Sequence, residues 1–206
     1  MKKIAVAFLL TLSAAGLHAQ DIKLPAPQKS GGKPLMTVLN ERHSSREFSG
    51  KELSSQNLSN LLWSAWGYNR ENKRTAPSSR DKQEIDVYVF MKTGTYVYDA
   101  RNNVLKQIDK KDLRKETGAQ PFVQNASVNL VYVADTDKIS GKDPQATTEA
   151  IYANTGFIAQ NVYLYCASAG LNCVVRAMIP KEELAKTLKL KPGQVITLAQ
   201  SVGYGE

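Results

Sequence analysis

The strongest constraint on the fold is one long apolar run in the C-terminal third of the chain. Asp143 and Pro144 make an N-cap and first-turn pair. A helix starting there runs to Ser168, with Gly170 as its C-terminal stop. It has about 25 residues, long for a single domain. Its apolar residues Ile151, Phe157, Ile158, Val162, Leu164 and Tyr165 cover more than one face. A helix apolar on several sides is central to its fold or lies at a subunit contact.

The elements around it follow from periodicity and punctuation. Residues 20–34 carry Pro25, Pro27, Gly31, Gly32 and Pro34 and read as an extended lead-in. Leu35 to Glu41 predicts a helix. Ser54 or Ser55 caps a second, whose Leu58, Leu61, Leu62, Ala65 and Trp66 form one buried stripe before Gly67. Asn69 to Asp81 reads as a polar loop. Strands are predicted at Ile85–Met91, Thr95–Tyr98 and Val104–Ile108, with Asn102-Asn103 as a turn. A short helix near Lys111–Glu116 follows, then Val128–Ala134, a strand buried on both faces. A short amphipathic helix at Pro180–Leu188 and a closing strand at Val195–Val202 complete the order. Helices, a strand meander, a long helix and a last strand predict a mixed α/β layered fold.

The opening residues point to export. Lys2 and Lys3 precede the apolar Ile4–Leu12, and small residues lead to Ala19, the order of a secretory signal. The run is shorter than the roughly 20 residues of a spanning helix, so no stable membrane insertion is expected after cleavage. Residues 1–19 are thus read as a signal peptide, and the mature chain as periplasmic. The remaining 187 residues suit one domain, residues 35–206 after the lead-in. The formal charge of +8 falls to +6 without Lys2 and Lys3. That balance suits an anionic cofactor, an anionic substrate or a membrane surface. The charge is spread along the chain, which argues against a nucleic-acid stripe. Cys166 and Cys173 would lie about 10 Å apart in one continuous helix, too far to bridge. Gly170 interrupts that helix, leaving a bridge open, with two buried thiols as the simpler expectation. His43 is the only histidine after residue 19, so neither a zinc cluster nor a Ser-His-Asp triad is indicated.

Three polar constellations remain. In Arg42-His43-Ser44-Ser45-Arg46, two guanidinium forks flank hydroxyls, a donor set for phosphate oxygens. Arg74 to Gln83 gathers hydroxyls, an amide and a carboxylate before a buried strand and can read the polar edge of a heterocycle. Gly170 to Ala177 follows the long helix and can bring backbone N–H groups close to a ligand. Taken singly, each reads more simply as a solvated turn, a polar loop or a helix cap with its connector.

Taken together, their order and spacing resemble the nitroreductase family of flavoproteins. Arg42, His43, Ser44, Arg46 and Phe48 match its Arg-rich first motif. Pro77, Ser78, Ser79 and Gln83 match its Pro-Ser-Ser segment, with Asp81 where Asn is usual. Asn161–Leu171 resembles the end of its long helix, and Val202-Gly203-Tyr204 its terminal strand. The stretch Leu61–Arg70 is similar to the branch that includes SagB-like azoline oxidases. The resemblance implies an α+β fold, an α/β/α three-layer sandwich with a central mixed sheet, and a homodimer with FMN at the interface. It implies that Arg42, His43, Ser44 and Arg46 hold the ribityl phosphate. Pro77, Ser78, Ser79, Asp81 and Gln83 would approach the flavin from the partner subunit. The backbone at Arg176 and Ala177 would lie near the reactive edge of the ring. It implies no obligatory acid or base, NAD(P)H as the possible donor, and small aromatic acceptors such as nitro compounds or quinones in ping-pong turnover.

Two departures stand out. The family's basic residue beyond the last strand has no counterpart before Glu206, and Arg74 or Arg70 is the expected substitute. Asp81 puts a carboxylate near the flavin, with Arg80, Lys82 or Arg176 as candidates to neutralise it. Azoline dehydrogenation and flat-ligand binding without turnover are the alternative functions.

Overall fold

The computed structural model describes residues 20–139, 141 and 143–206. Residues 1–19, where an export signal is expected, lie outside the described residues. The elements run β1 (Ile22–Lys23), α1 (Leu35–Glu41), α2 (Ser55–Trp66), β2 (Tyr68–Arg70), β3 (Lys73–Arg74), β4 (Ile85–Met91), β5 (Gly94–Asp99), β6 (Val104–Asp109), β7 (Val128–Asp135), α3 (Thr136–Ile139), α4 (Pro144–Ala169), β8 (Asn172–Arg176), α5 (Lys181–Thr187) and β9 (Gln194–Gly203). Short 3-10 turns cover Ser79–Asp81, Arg114–Thr117 and Pro121–Gln124.

The long helix forms because both ends are specified. The Asp143 carboxylate accepts the Gln145 N–H at 2.9 Å, and Pro144 occupies the first turn. Gly170 takes a left-handed φ of 67°, and the N–H groups of Gly170 and Leu171 both return to the Cys166 carbonyl. The 26 residues of α4 span about 39 Å. Ile151, Ile158, Val162 and Cys166 are buried in the main core together with Leu58, Leu61, Leu62 and Ala65 of α2.

Strand β7 divides the molecule into layers. Val128, Leu130, Tyr132 and Ala134 point into the core shared with α2 and α4. Val131 and Val133 point the other way, into a core with Leu184 and Leu188 at α5. This is the period-two alternation of a sheet covered on both faces. The three-layer α+β expectation stands.

The mixed sheet does not. The seven strands are ordered β1-β6-β5-β4-β7-β9-β8, and every described ladder is antiparallel. The α4 crossover does leave β7 and β8 running in the same direction. However, β9 inserts between them and pairs antiparallel with both.

Three further differences are local. Residues 69–81 are not simply a loop, because β2 and β3 form a small hairpin there. The helix expected near Lys111–Glu116 is a 3-10 turn at Arg114–Thr117. Residues 172–176, read as a connector, form the edge strand β8. Cys166 and Cys173 are free and buried, as the simpler reading held. Among the described residues no helix is long and apolar enough to cross a membrane.

The segment between β6 and β7 is fastened by Arg114. Its Nε and Nη2 grip the two oxygens of Asp112 at 2.9 and 2.7 Å, and Nη1 donates to the Ala126 carbonyl at 2.8 Å. The Arg114 contact holds the Asp112 carboxyl below its ordinary 3.8. A carboxyl depressed on folding stabilises the fold above its unfolded pKa, and that contribution is lost as pH falls through the lower folded value. Asp112→Asn is therefore expected to destabilise at pH 7, by an amount that shrinks as pH falls below the ordinary 3.8. Urea melts over a pH series check this.

Candidate functional site

The Arg42–Phe48 segment is an extended stretch pinned at both ends. Arg42 closes α1, its N–H bonded to the Val38 carbonyl. Phe48 is buried with Val174, Ala126 and Phe122. Between them the Ser45 N–H donates to the Cys173 carbonyl at 2.9 Å, along the open edge of β8. This leaves His43, Ser44 and Arg46 exposed. The Arg42 guanidinium lies 5.3 Å from the Tyr163 ring centre. Neither Arg42 nor Arg46 forms an ion pair among the described residues.

Tyr163 organises this cradle, and sequence reasoning missed it. Its hydroxyl is 2.7 Å from Ser44 Oγ and accepts the Val175 N–H at 2.9 Å. One side chain of α4 thus sits under Arg42, orients Ser44 and fixes the backbone next to Arg176. The expectation for Tyr163→Phe is a loss of about 1–2 kcal/mol in stability, because the Val175 N–H loses its acceptor. Thermal melts test it.

The Pro77–Gln83 loop is held under backbone strain. Arg80, Asp81 and Gln83 all have left-handed φ, at 52°, 55° and 50°. Such conformations cost on the order of 1–3 kcal/mol each and persist only where surroundings enforce them. Here the Gln83 N–H donates to Ser78 Oγ at 2.9 Å, and Ser79 donates through N–H and Oγ to Asn154 Oδ1. Asn154 in turn donates to the fully buried Glu84 at 2.7 Å. Pro77 is exposed at the head of the loop.

Two expectations about this loop change. Asp81 is neutralised by Lys73, at 2.5 Å, rather than by Arg80, Lys82 or Arg176. Lys73, then Gln83, hold its carboxyl below the usual range. Arg74 does not reach outward as a substitute phosphate contact. Its Nε donates to Gln83 Oε1 and its Nη1 to the Trp66 carbonyl, and its guanidinium stacks 4.0 Å from the Tyr68 ring centre. It braces the loop against α2.

At the end of β8 the Arg176 side chain turns into the protein. It donates to Ser201 Oγ, to the Thr117 carbonyl and hydroxyl, and to Asn129 Oδ1. Burial brings its guanidinium down to about 10. The backbone continues outward through the exposed Ala177 and Met178. Beside it Gln120 Oε1 is buried and unpartnered, and a Cβ on Gly118 would collide with both that oxygen and Arg176 Nη1, so the space over Gly118 is filled from within the fold. The cationic cradle, with the exposed backbone beyond β8, suits a phosphate-bearing ligand.

A single protomer does not join the cradle to the loop. Asn154 holds the loop and Tyr163 holds the cradle, nine residues apart on α4. That separation is about 13 Å along the axis and roughly half a turn around it. The two constellations therefore lie on opposed sides of the helix.

The sequence matches the profile of the nitroreductase family over residues 39–204. The chain belongs to the nitroreductase family. A solved structure from Ralstonia eutropha JMP134, described as a nitroreductase, shares 38% identity with a TM-score of 0.86, covering 100% of this chain and 99% of that one. A protein of Methanocaldococcus jannaschii, also described as a nitroreductase, is 27% identical over 168 residues, covering 76% of this chain and 85% of its own. A chain of the Escherichia coli microcin synthetase McbBCD complex, solved with truncated pro-MccB17, shares the fold at 18% identity and a TM-score of 0.70, covering 100% of this chain and 85% of that one. The chain is thus an oxidoreductase of an FMN-dependent family, and its cradle, loop and β8 end fall within the matched region.

Proposed function

We propose that this chain binds FMN between two copies of itself and reduces small aromatic acceptors, such as nitro compounds or quinones, in two-electron steps. The observation that carries the reading is the division of the site across α4. One protomer supplies a phosphate cradle and a bare backbone edge, while its own loop faces the other side. A second copy placing its Pro77–Gln83 loop over the first copy's cradle completes the site. Tyr152 and Phe157 on α4, and Leu35, Met36 and Leu39 on α1, are exposed large hydrophobics available for that contact.

Bound FMN supplies the electron transfer. Arg42, His43, Ser44 and Arg46 hold its phosphate by charge-assisted bonds. The backbone at Arg176 and Ala177 would line the reactive edge. The Ser78 hydroxyl, which accepts the Gln83 N–H and keeps its own proton, would face the ring's polar rim. Asp81 brings less negative charge to the flavin than its sequence position suggests, because Lys73 is paired with it. With no side chain set as an obligatory acid or base, donor and acceptor use one open pocket in turn, which gives ping-pong kinetics.

NAD(P)H is the donor expected of the fold, and export to the periplasm makes that donor scarce. Anaerobic FMN reconstitution followed by a donor screen separates the possibilities. Protein that stays colourless and shows no FMN binding in fluorescence titration removes the flavoenzyme reading. Protein that binds FMN but is not bleached by NADH or NADPH uses another donor. The likeness of Leu61–Arg70 to the azoline-oxidase branch then favours azoline-type dehydrogenation, with flavin binding without turnover as the other outcome. Fractionation of cells expressing the full chain tests export, with a periplasmic product shortened by about 19 residues expected.

A further inference from the structure

A second cavity stands apart from the cradle, the loop and the β8 end. It has a volume of about 220 Å³ and lies between the lead-in, α2 and the turn after β5. Its working residues are Lys29, Trp63, Tyr68, Tyr98, Arg101 and Asn103. We propose that it binds a single-ring aromatic carboxylate.

The walls are fixed before any ligand arrives. Trp63 donates its indole N–H to the Tyr68 carbonyl at 3.1 Å. The indole packs on Gly67, where a Cβ would collide with it. The Arg101 guanidinium lies 3.8 Å from the Tyr68 ring centre, and its nitrogens donate to the Glu71 carbonyl at 2.6 Å and to Asn72 Oδ1 at 3.2 Å. Asn103 accepts the Tyr98 hydroxyl and donates to the Pro25 carbonyl at 2.8 Å, which ties the lead-in to the floor. Lys29 Nζ sits 5.8 Å from the Trp63 ring centre.

Charge selects the ligand's sign. Lys29 and Arg101 form no ion pair among the described residues, and no carboxylate lines the cavity. The nearest acid on the turn, Asp99, is occupied by the N–H groups of Arg101 and Asn102 and by the Asn102 amide. Two uncompensated cations in a walled recess attract an anion, and guanidinium favours a carboxylate. Shape selects the rest. Trp63 and Tyr98 suit a planar apolar body, while the Tyr68 ring is already covered by the Arg74 and Arg101 guanidiniums. The volume is below the roughly 300–1,000 Å³ of ordinary ligand pockets, so a nucleotide or a flavin is too large and one ring fits.

The test uses benzoate as the charged probe and benzamide as its neutral counterpart. Each is titrated into the mature chain by calorimetry, with Trp fluorescence alongside, with and without FMN. Benzoate is expected to bind in both states, and benzamide about tenfold more weakly or worse. Arg101→Gln and Lys29→Gln are each expected to weaken benzoate about tenfold while leaving the FMN titration unchanged. No benzoate binding, equal binding of both probes, or full affinity in both variants overturns the site. Benzoate that binds only after FMN is added also overturns it, since the probe then rests on the flavin. The FMN titration reads the flavin site separately, so failure of one proposal is distinguishable from failure of the other.

Discussion

Arg176→Ala is expected to destabilise the protein by about 3–5 kcal/mol, near the upper end for single substitutions. The side chain is 5% exposed and makes four hydrogen bonds that bring together β8, β9, β7 and the turn before residue 118. Its removal leaves the Thr117 carbonyl with no donor in a site that water does not reach, which costs about 1–3 kcal/mol. The cavity left by the stem adds to that. One term opposes these. The guanidinium is buried without a carboxylate, so deleting it also removes a desolvation cost, visible in its lowered pKa of about 10. The hydrogen bonds and packing are expected to win because every contact is to a fixed acceptor or hydroxyl. Arg176→Lys separates charge from geometry. A lysine keeps the charge but cannot reach Ser201, Thr117 and Asn129 together, so it should recover less than half of the loss. Chemical denaturation of the three proteins measures this. A stable Arg176→Ala protein would show that the network is not what fixes the β8 end.

The core was legible in the sequence because its signals are local. The caps of α4 at Asp143 and Gly170, the stripe on α2 and the apolar runs of β4 and β7 each state their element within a few residues. The three polar constellations were legible as residue types and spacing. Their geometry was not. Arg74 carries the same formula as Arg42, yet one braces a loop and the other fronts the solvent. The difference lies in Trp66, Tyr68 and Gln83, which only the folded hairpin brings to Arg74. Strand β8 was hidden because Asn172-Cys173-Val174-Val175-Arg176 follows a helix stop and gains its identity only by pairing with β9. Tyr163 carried no signal of its own within the long helix. Its function comes from Ser44, 119 positions away in sequence, and from Val175. The mixed sheet failed for a topological reason: a crossover helix predicts parallel neighbours unless a later strand fills the gap, and β9 does.

Arg42→Ala is expected to weaken FMN binding by about 1.5–3 kcal/mol, the range for a charge-assisted hydrogen bond. That is roughly 10- to 150-fold in Kd. The reasoning begins with what Arg42 does without a ligand. Its guanidinium rests over the Tyr163 ring and forms no ion pair among the described residues, so its charge is available rather than spent within the fold. Stability should therefore change little, because a half-exposed guanidinium over an aromatic ring contributes only about 0.5–1 kcal/mol. The contrast with Arg176 is the sharper content of the prediction. One arginine should move the melting curve and the other the flavin titration. Arg42→Lys keeps the charge without the bidentate fork and should fall between the parent and Arg42→Ala. Higher salt should weaken FMN binding to the parent more than to Arg42→Ala, since the variant lacks one of the screened charges. Fluorescence titration with FMN at two salt concentrations reads all of this. An Arg42→Ala protein that binds FMN as tightly as the parent would move the phosphate to another cation and leave Ser44 and Tyr163 holding only the backbone of β8.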